Sequence, residues 1–444
     1  MSADGIKAMK ILLINPPNCG RSIPEEEYGI SSLKMIFRGE PLALEVLAGN
    51  LDAHDVKLLD LKAEPDGLEN LLGGGYSPEL VGFTAVTCEA NTVLKLAHSI
   101  KKQSLTSSPI IVVGGHHASS DPEFFNRAEF DYVVAGLGKL SFHLLADELA
   151  SGKKNSSIPG VAATRPGKKL DFGGKGYSLL DLVDHKAPRY ELVEKYRQKY
   201  VMSGVGGQVG FVATAFGCTH SCFFCSIPAM TGGRYLSHSV SAIVRDIQLL
   251  PDIPLIRFVD ANTFGDLQFS RILAEKILQL DLQKKIVADI RADTVVRNPE
   301  LLRIWHRAGL TAVVIGFEEI DDGRLRGMNK KSSLAVNIEA LKILAEIGIK
   351  VIGDFIISPD YTAEDFARLS RFIEDSTISL PIPSILTPIP GTPLYRKCRE
   401  ILEIKDLDYY TFSNAVLPTV LPKKEFYTLY SHLMKDLHQH ITKS

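Results

Sequence analysis

Two long runs of this chain alternate strand-length apolar stretches with amphipathic helical stretches, a pattern that all-β and all-α folds do not accommodate. In the first run, KILLIN (10–15) reads as a buried strand. PLALEVLAGNLDA follows with Leu44, Leu47, Ala48 and Leu51 at helical spacing. DVKLLDL, LVGFTAV, PIIVVGGHH and YVVAGLG supply further strands, with NTVLKLAHSIKKQ as an amphipathic helix among them. Strands separated by helices of this length build a parallel, doubly wound sheet, whose ligands bind beyond the carboxyl ends of its strands. Those ends carry Asn15-Pro16-Pro17, Thr84 to Thr87, Gly114-Gly115-His116 and Gly136-Leu137-Gly138.

The pattern breaks over 153–208, a stretch rich in Gly, Pro, Lys and Ser that reads as a connector with little core of its own. It resumes at Val209. GFVATAFG, LIRFVDANTF, KKIVADIRAD, AVVIGFEEI, IKVIGDFII and IPSILTPIPGT read as strands, separated by helices such as PELLRIWHRAG. Repeated strand–helix units with polar residues at the strand ends predict a full or partial parallel barrel. The expected organisation is therefore α/β throughout: a doubly wound domain over 1–152, a connector over 153–208, a barrel over 209–395 and a short helical segment over 396–444.

The 444 residues carry a net charge of −2, which leaves no electrostatic footprint for nucleic acid or an anionic membrane surface. No stretch approaches the roughly 20 apolar residues of a spanning helix, and the N-terminus lacks a secretory h-region. The expectation is a cytoplasmic protein with no membrane span. Its thiols stay reduced there, so clustered cysteines point to metal or catalysis rather than disulfides.

Three of the six cysteines, Cys218, Cys222 and Cys225, stand in the single stretch FGCTHSCFFC, directly after a strand. Three thiolates on one short loop can take three corners of a four-iron four-sulfur cube, leaving the fourth iron open to an exogenous chelator. Two other readings are a zinc site that recruits His220, and three unconnected buried thiols. C-x-x-x-C-x-x-C after a strand favours the cluster.

With Phe224 immediately before the third cysteine, CTHSCFFC resembles the radical S-adenosylmethionine enzymes. RADTVVRNPELLRIWHRAGL, IGFEEIDDGRLRGMNK and TPIPGTPLY look like later regions of the cobalamin-binding class of that superfamily, whose N-terminal doubly wound domain matches 1–152. The resemblance implies that Cys218, Cys222 and Cys225 hold a 4Fe–4S cluster and that S-adenosylmethionine chelates its open iron. Glu318, at the end of GFEE, matches an acidic residue near the ribose or methionine moiety; a salt-bridged or solvated strand-end Glu is the plain alternative. Arg291 and Asp293 could meet the methionyl carboxylate or simply pair with each other. Asp260 and Asn262 in VDANTF match the second-strand motif or form a structural turn, and Gly316 would let backbone pass close to the cofactor.

For cobalamin, the resemblance points to Thr84, Thr87, Gly114, Gly115 and Gly138 as the cradle of corrin and nucleotide tail, against their reading as turn residues of any doubly wound fold. Cobalamin folds with histidine on cobalt carry D-x-H-x-x-G, whereas DLKAEPDG places Lys62 there, so no protein histidine is expected on cobalt at that position. His116 and His117 read as polar loop residues before metal ligands, and His432, His438 and His440 as a solvated face. Cys19, Cys88 and Cys398 are scattered, which argues against the related methylthiotransferases with their second cluster.

The function implied is C-methylation of an unactivated carbon through a 5′-deoxyadenosyl radical and methylcobalamin. The substrate would be a small or lipid-like molecule, and the electron donor an external protein such as flavodoxin or ferredoxin. A radical cyclase or ring-rearranging oxidase on the same scaffold is the second reading. A zinc-stabilised binding module without turnover is the third.

Overall fold

The structure is a computed structural model that describes residues 7–31, 37–103, 108–152, 157–173, 186–202 and 207–443. Parts of the expected connector, 153–156, 174–185 and 203–206, lie outside the described residues. Two compact units emerge. The first comprises Met1–Gly20, Glu40–Lys199 and Ser226–His238, and the second Arg21–Gly39, Tyr200–Cys225 and Ser239–Ser444.

The first unit is built on strands β1 (Lys10–Asn15), β2 (Asp55–Asp60), β3 (Leu80–Thr84), β4 (Ile110–Gly114), β5 (Tyr132–Val134) and β6 (Val161–Ala163). They lie in the order β2-β1-β3-β4-β5-β6, parallel except for β6, which runs antiparallel to β5. Ile11 to Ile14 of β1 are fully buried, as a central strand covered on both faces requires. The longer helices are α1 (Leu42–Gly49), α2 (Ala90–Lys102) and α3 (Lys139–Ala150). Strand order reverses between β1 and β3, so the ligand crevice of such a sheet opens at Asn15 and Thr84. The stretch read as lacking a core contributes Tyr190, Val193 and Tyr196, all buried. The spacing of these residues in an otherwise charged segment hides that role.

The second unit holds β7 (Val209–Val212), β8 (Leu255–Phe258), β9 (Lys285–Asp289), β10 (Leu310–Glu318), β11 (Lys350–Ile357) and β12 (Ile378–Ile385). All six are parallel and pair in sequence order, and among the described residues β7 and β12 are the free edges. The barrel is therefore partial. Its longer helices are α4 (Val240–Gln248), α5 (Leu267–Leu280), α6 (Pro299–Arg307), α7 (Leu334–Ile347), α8 (Ala363–Glu374) and α9 (Lys423–Lys443). β12 starts four residues before the stretch expected from sequence and includes Pro381 and Pro383. Proline cannot donate to a ladder, which is why this strand sits at an edge. The C-terminal α9 buries Phe426 and Tyr427, and Phe426 meets Phe366 of α8 edge-on at 5.4 Å.

Side-chain alternation divides each barrel strand into two faces. Phe258 of β8 meets Trp305 of α6 at 6.0 Å, and Phe355 of β11 meets Phe372 of α8 at 6.3 Å. Those residues face the helices, so their neighbours Arg257 and Asp354 face the barrel interior. Trp305 is fully buried, is edge-on to Phe264 as well, and donates its indole N–H to Ser270 Oγ at 2.9 Å. Trp305→Ala is expected to cost ~3–5 kcal/mol, from lost burial plus the residual cavity, measured by urea unfolding followed by circular dichroism.

Candidate active site

Two short strand ends set the path of the chain into the cysteine loop. Asp260, buried just after β8, accepts from Thr214 N at 2.8 Å, Ala215 N at 3.0 Å, Thr214 Oγ1 at 2.5 Å and Thr263 Oγ1 at 2.9 Å. Its role is therefore structural. Asn262 is buried beside it, and its Oδ1 lacks a partner. Beyond Ala215 the chain passes Gly217, at φ +87°, and reaches Cys218.

Cys218, Cys222 and Cys225 are in no disulfide and are half-buried, with Cys225 N donating to Cys222 O at 3.1 Å. The loop is tied to its surroundings through backbone: Phe223 N donates to Met328 O at 2.9 Å, and Leu394 N to Phe223 O at 3.1 Å. Asn329 Nδ2 donates to Ser221 O at 2.8 Å. Among the described residues no three His, Cys, Asp or Glu side chains converge where a single metal ion could sit. Tetrahedral zinc needs that convergence. A four-iron cube does not, because each thiolate takes a different corner. His220 stays local, its Nδ1 3.0 Å from Thr219 Oγ1. The donor set fits a cubane cluster better than a zinc ion.

Glu318 ends β10 at φ +65°, in the left-handed region that a residue with a side chain occupies only at a cost. Its Oε1 stands 2.6 Å from the Lys330 ammonium, and both side chains are buried. Burial disfavours the charged Lys330, but Glu318 and Cys222 together outweigh it and the lysine pKa is raised. Gly316 explains itself here. A Cβ at that position would lie 2.3 Å from Glu318 Oε1 and 3.0 Å from Lys330 Nζ, so this glycine makes room for the ion pair. Arg291 Nε pairs with Asp293 Oδ1 at 2.9 Å, and its Nη2 donates to Lys330 O at 2.8 Å. Glu318, Gly316 and Arg291 are thus gathered around one residue, Lys330, that sequence reasoning did not single out. Burial pushes the Cys222 thiol up, Lys330 opposes that and Glu318 adds to it.

Deeper in the barrel, Arg257 pairs with Asp289 of β9. Burial raises Asp289 to about 6 against the pull of that arginine. Asp354 of β11 pairs in register with Gly316, and burial, with Glu318 and Asp289 nearby, raises it to about 8. A carboxyl that keeps its proton in the native state up to pH 8 but only to about 4 when unfolded stabilises the fold least at high pH. Melting temperature is therefore expected to fall as pH rises from about 4 to about 8 and to level off above that, and Asp354→Asn to flatten the slope, read by calorimetry across the range.

In the first unit, polar residues collect at the carboxyl ends of β3 and β4. Thr87 Oγ1, His116 Nδ1 and both ring nitrogens of His117 are buried without a protein partner. His116 Nε2 lies 2.7 Å from Ser226 Oγ. Burial lowers His117 to about 4, with His116 adding to the effect, so the ring is neutral. Unpaired donors and acceptors of this kind fit an amide-rimmed ligand such as a corrin. Gly115, at φ +92°, is required by the fold itself, because a Cβ there would meet Thr84 Oγ1 at 2.5 Å and Ala85 N at 2.9 Å. Gly114 has Val134 O at 3.4 Å, whereas Gly138 has nothing nearer than 3.7 Å and leaves the most room of the three. Lys62 is ion-paired with Glu89 at 2.6 Å. Cys19 Sγ donates to Cys88 O at 2.6 Å, so two of the cysteines that look scattered in sequence are neighbours.

The sequence pattern of the B12 binding domain matches residues 33–146, and that of the Radical SAM superfamily residues 212–373. A hopanoid C-3 methylase from Methylococcus capsulatus is 30% identical over 402 residues, covering 89% of this chain and 75% of the relative. An uncharacterized methyltransferase from Pyrococcus horikoshii is 29% identical over 98% of this chain and 89% of its own. Among solved structures, the radical S-adenosylmethionine methyltransferase TsrM from Kitasatospora setae, with cobalamin and a 4Fe–4S cluster bound, shares the fold. It superposes with a TM-score of 0.70 at 17% identity, covering 98% of this chain and all of the other. No helix among the described residues is long and apolar enough to cross a membrane. With a B12 binding pattern on the doubly wound sheet and a radical pattern on the partial barrel, the chain belongs to the cobalamin-binding class of radical S-adenosylmethionine enzymes and is an enzyme of C-methylation.

Proposed function

We propose that this enzyme transfers a methyl group to an unactivated carbon of an apolar, lipid-like small molecule. Cys218, Cys222 and Cys225 would carry the cluster, and the observation behind that assignment is the presentation of three cysteines on one loop, tied to the strand end beside Glu318, Lys330 and Arg291. When bound, the cluster with S-adenosylmethionine supplies hydrogen-atom abstraction and cobalamin supplies the methyl carrier, so the chain's own part is binding, orientation and exclusion of water. Glu318 would accept from the ribose hydroxyls or the methionyl ammonium, since a carboxylate offers acceptors only. Arg291, already committed to Asp293 through Nε, has remaining donors for a carboxylate. On the first unit, Thr84, Thr87 and Gly138 would cradle the corrin and its tail, with His116 and His117 completing the polar wall. Gly114 and Gly115 would shape that edge through backbone close to β5 and β3 rather than by touching the cofactor.

The lipid-like substrate class is carried by the likeness to the hopanoid methylase. An external one-electron donor of flavodoxin or ferredoxin type completes the electron balance. Six cysteines outside any disulfide accord with a reducing, cytoplasmic setting, and the charge near neutrality offers no reason to expect nucleic acid.

Anaerobic protein reconstituted with iron, sulfide and hydroxocobalamin is expected to hold about four irons and about one cobalt per chain. Cys222→Ala should lose most of the iron while keeping the cobalt. Incubation with methyl-labelled S-adenosylmethionine, a chemical reductant and a hopanoid should yield labelled product, S-adenosylhomocysteine and 5′-deoxyadenosine. Deoxyadenosine without S-adenosylhomocysteine would instead favour a cyclase or ring-rearranging oxidase. Full iron loading in the Cys222 variant would overturn the cluster assignment.

A further inference from the structure

After the helix Asp322–Gly327 the chain makes a four-residue strap, Met328 to Lys331, before α7. Its first three residues all reach into the site. Met328 O accepts from Phe223 N at 2.9 Å, and Asn329 Nδ2 donates to Ser221 O at 2.8 Å, so both grip the cysteine loop. Lys330 Nζ holds Glu318 at 2.6 Å, while its carbonyl accepts from Arg291 Nη2 at 2.8 Å.

Helix termination explains only part of this. A left-handed residue such as Asn329, at φ +53°, commonly ends a helix, and Lys330 N closes the turn on Leu325 O at 3.1 Å. Lys331 is a second left-handed residue at φ +53°, and a lysine there gains nothing from capping. With Glu318 at +65°, three of the six non-glycine residues with positive φ among those described belong to this one cluster. Strain concentrated at connected residues persists where the surroundings over-determine it, and it marks function.

We propose that the strap Met328 to Lys331, with Lys330 at its centre, is a positioning element that joins Glu318 to the cysteine loop, so that cosubstrate bound at Glu318 and the cluster share one rigid frame. This rests on the assignment of Glu318 to S-adenosylmethionine. Lys330 fixes the direction of the Glu318 carboxylate and places a positive charge near Cys222. Removing one partner of a buried ion pair destabilises the fold whatever the pair's purpose; a positioning pair also weakens cosubstrate binding in the protein that still folds and loads iron.

The test uses the full chain, anaerobically reconstituted, in wild-type, Lys330→Met, Lys330→Arg, Asn329→Ala and Glu318→Gln forms. Iron content and melting temperature establish that each variant is folded and loaded. The readouts are the equilibrium dissociation constant for S-adenosylmethionine and the change it causes in the electron paramagnetic resonance spectrum of the reduced cluster. Lys330→Met should bind about tenfold more weakly and lose most of the spectral change, with Lys330→Arg recovering both in part. Asn329→Ala, which leaves all charges in place, should weaken binding about threefold and reduce the spectral change. Binding within about twofold of wild type and an unaltered spectral change in Asn329→Ala and in any iron-loaded Lys330→Met protein would overturn the proposal. Glu318→Gln separates the two layers. If it binds normally, the assignment of Glu318 fails; if it binds weakly while the strap variants bind normally, the strap alone fails.

Discussion

One buried carboxylate governs how the chain enters the cysteine loop. Asp260 sits where β8 ends and accepts four hydrogen bonds, two from the backbone of Thr214 and Ala215 and two from threonine hydroxyls. Those two amides follow β7, so the carboxylate stitches the carboxyl ends of adjacent parallel strands and sets the direction of everything up to Cys225. Asparagine could replace only part of this, since its amide donates where a carboxylate accepts. Each buried amide left unpaired would cost about 1–3 kcal/mol. The loop has no regular structure of its own after Gly217, so its geometry is inherited from this anchor below and from the strap Met328 to Lys331 on its other flank.

The barrel interior follows a second constraint, the charge balance among side chains that cannot reach bulk water. Arg257 and Asp289 neutralise each other, Lys330 and Glu318 do the same one strand along, and Asp354 is left over. Burial first, and then the Glu318 and Asp289 carboxyls nearby, disfavour a further negative charge, so the Asp354 carboxyl is raised to about 8. The row presents a donor to the interior at neutral pH where the residue type alone would suggest an acceptor.

Period and spacing made the architecture legible. β1, β3 and β4 were visible as apolar runs, the alternation with helices implied parallel sheets, and CTHSCFFC stood out because it is dense and contiguous. What escaped was non-local. Lys330 is one lysine of a polar run, MNKK, and only the chain's return past β10 places it on Glu318. Gly115 and Gly316 could not be assigned from sequence, because a glycine that spares a cofactor and one that spares Thr84 or an ion pair look alike until the neighbours are known. Cys19 and Cys88 seemed unrelated for the same reason, with 69 residues between them. β12 begins four residues before the stretch read as a strand, and its two prolines are the mark of an edge.

The single tryptophan of the chain lies in the second unit, sealed among Phe258, Phe264 and Ser270. Its emission therefore reports on the barrel alone. The doubly wound unit is spectroscopically dark in that channel, so the two units carry separable optical signatures. A fluorescence transition that precedes or lags the far-ultraviolet one would reveal directly which unit gives way first, with no label added to the protein.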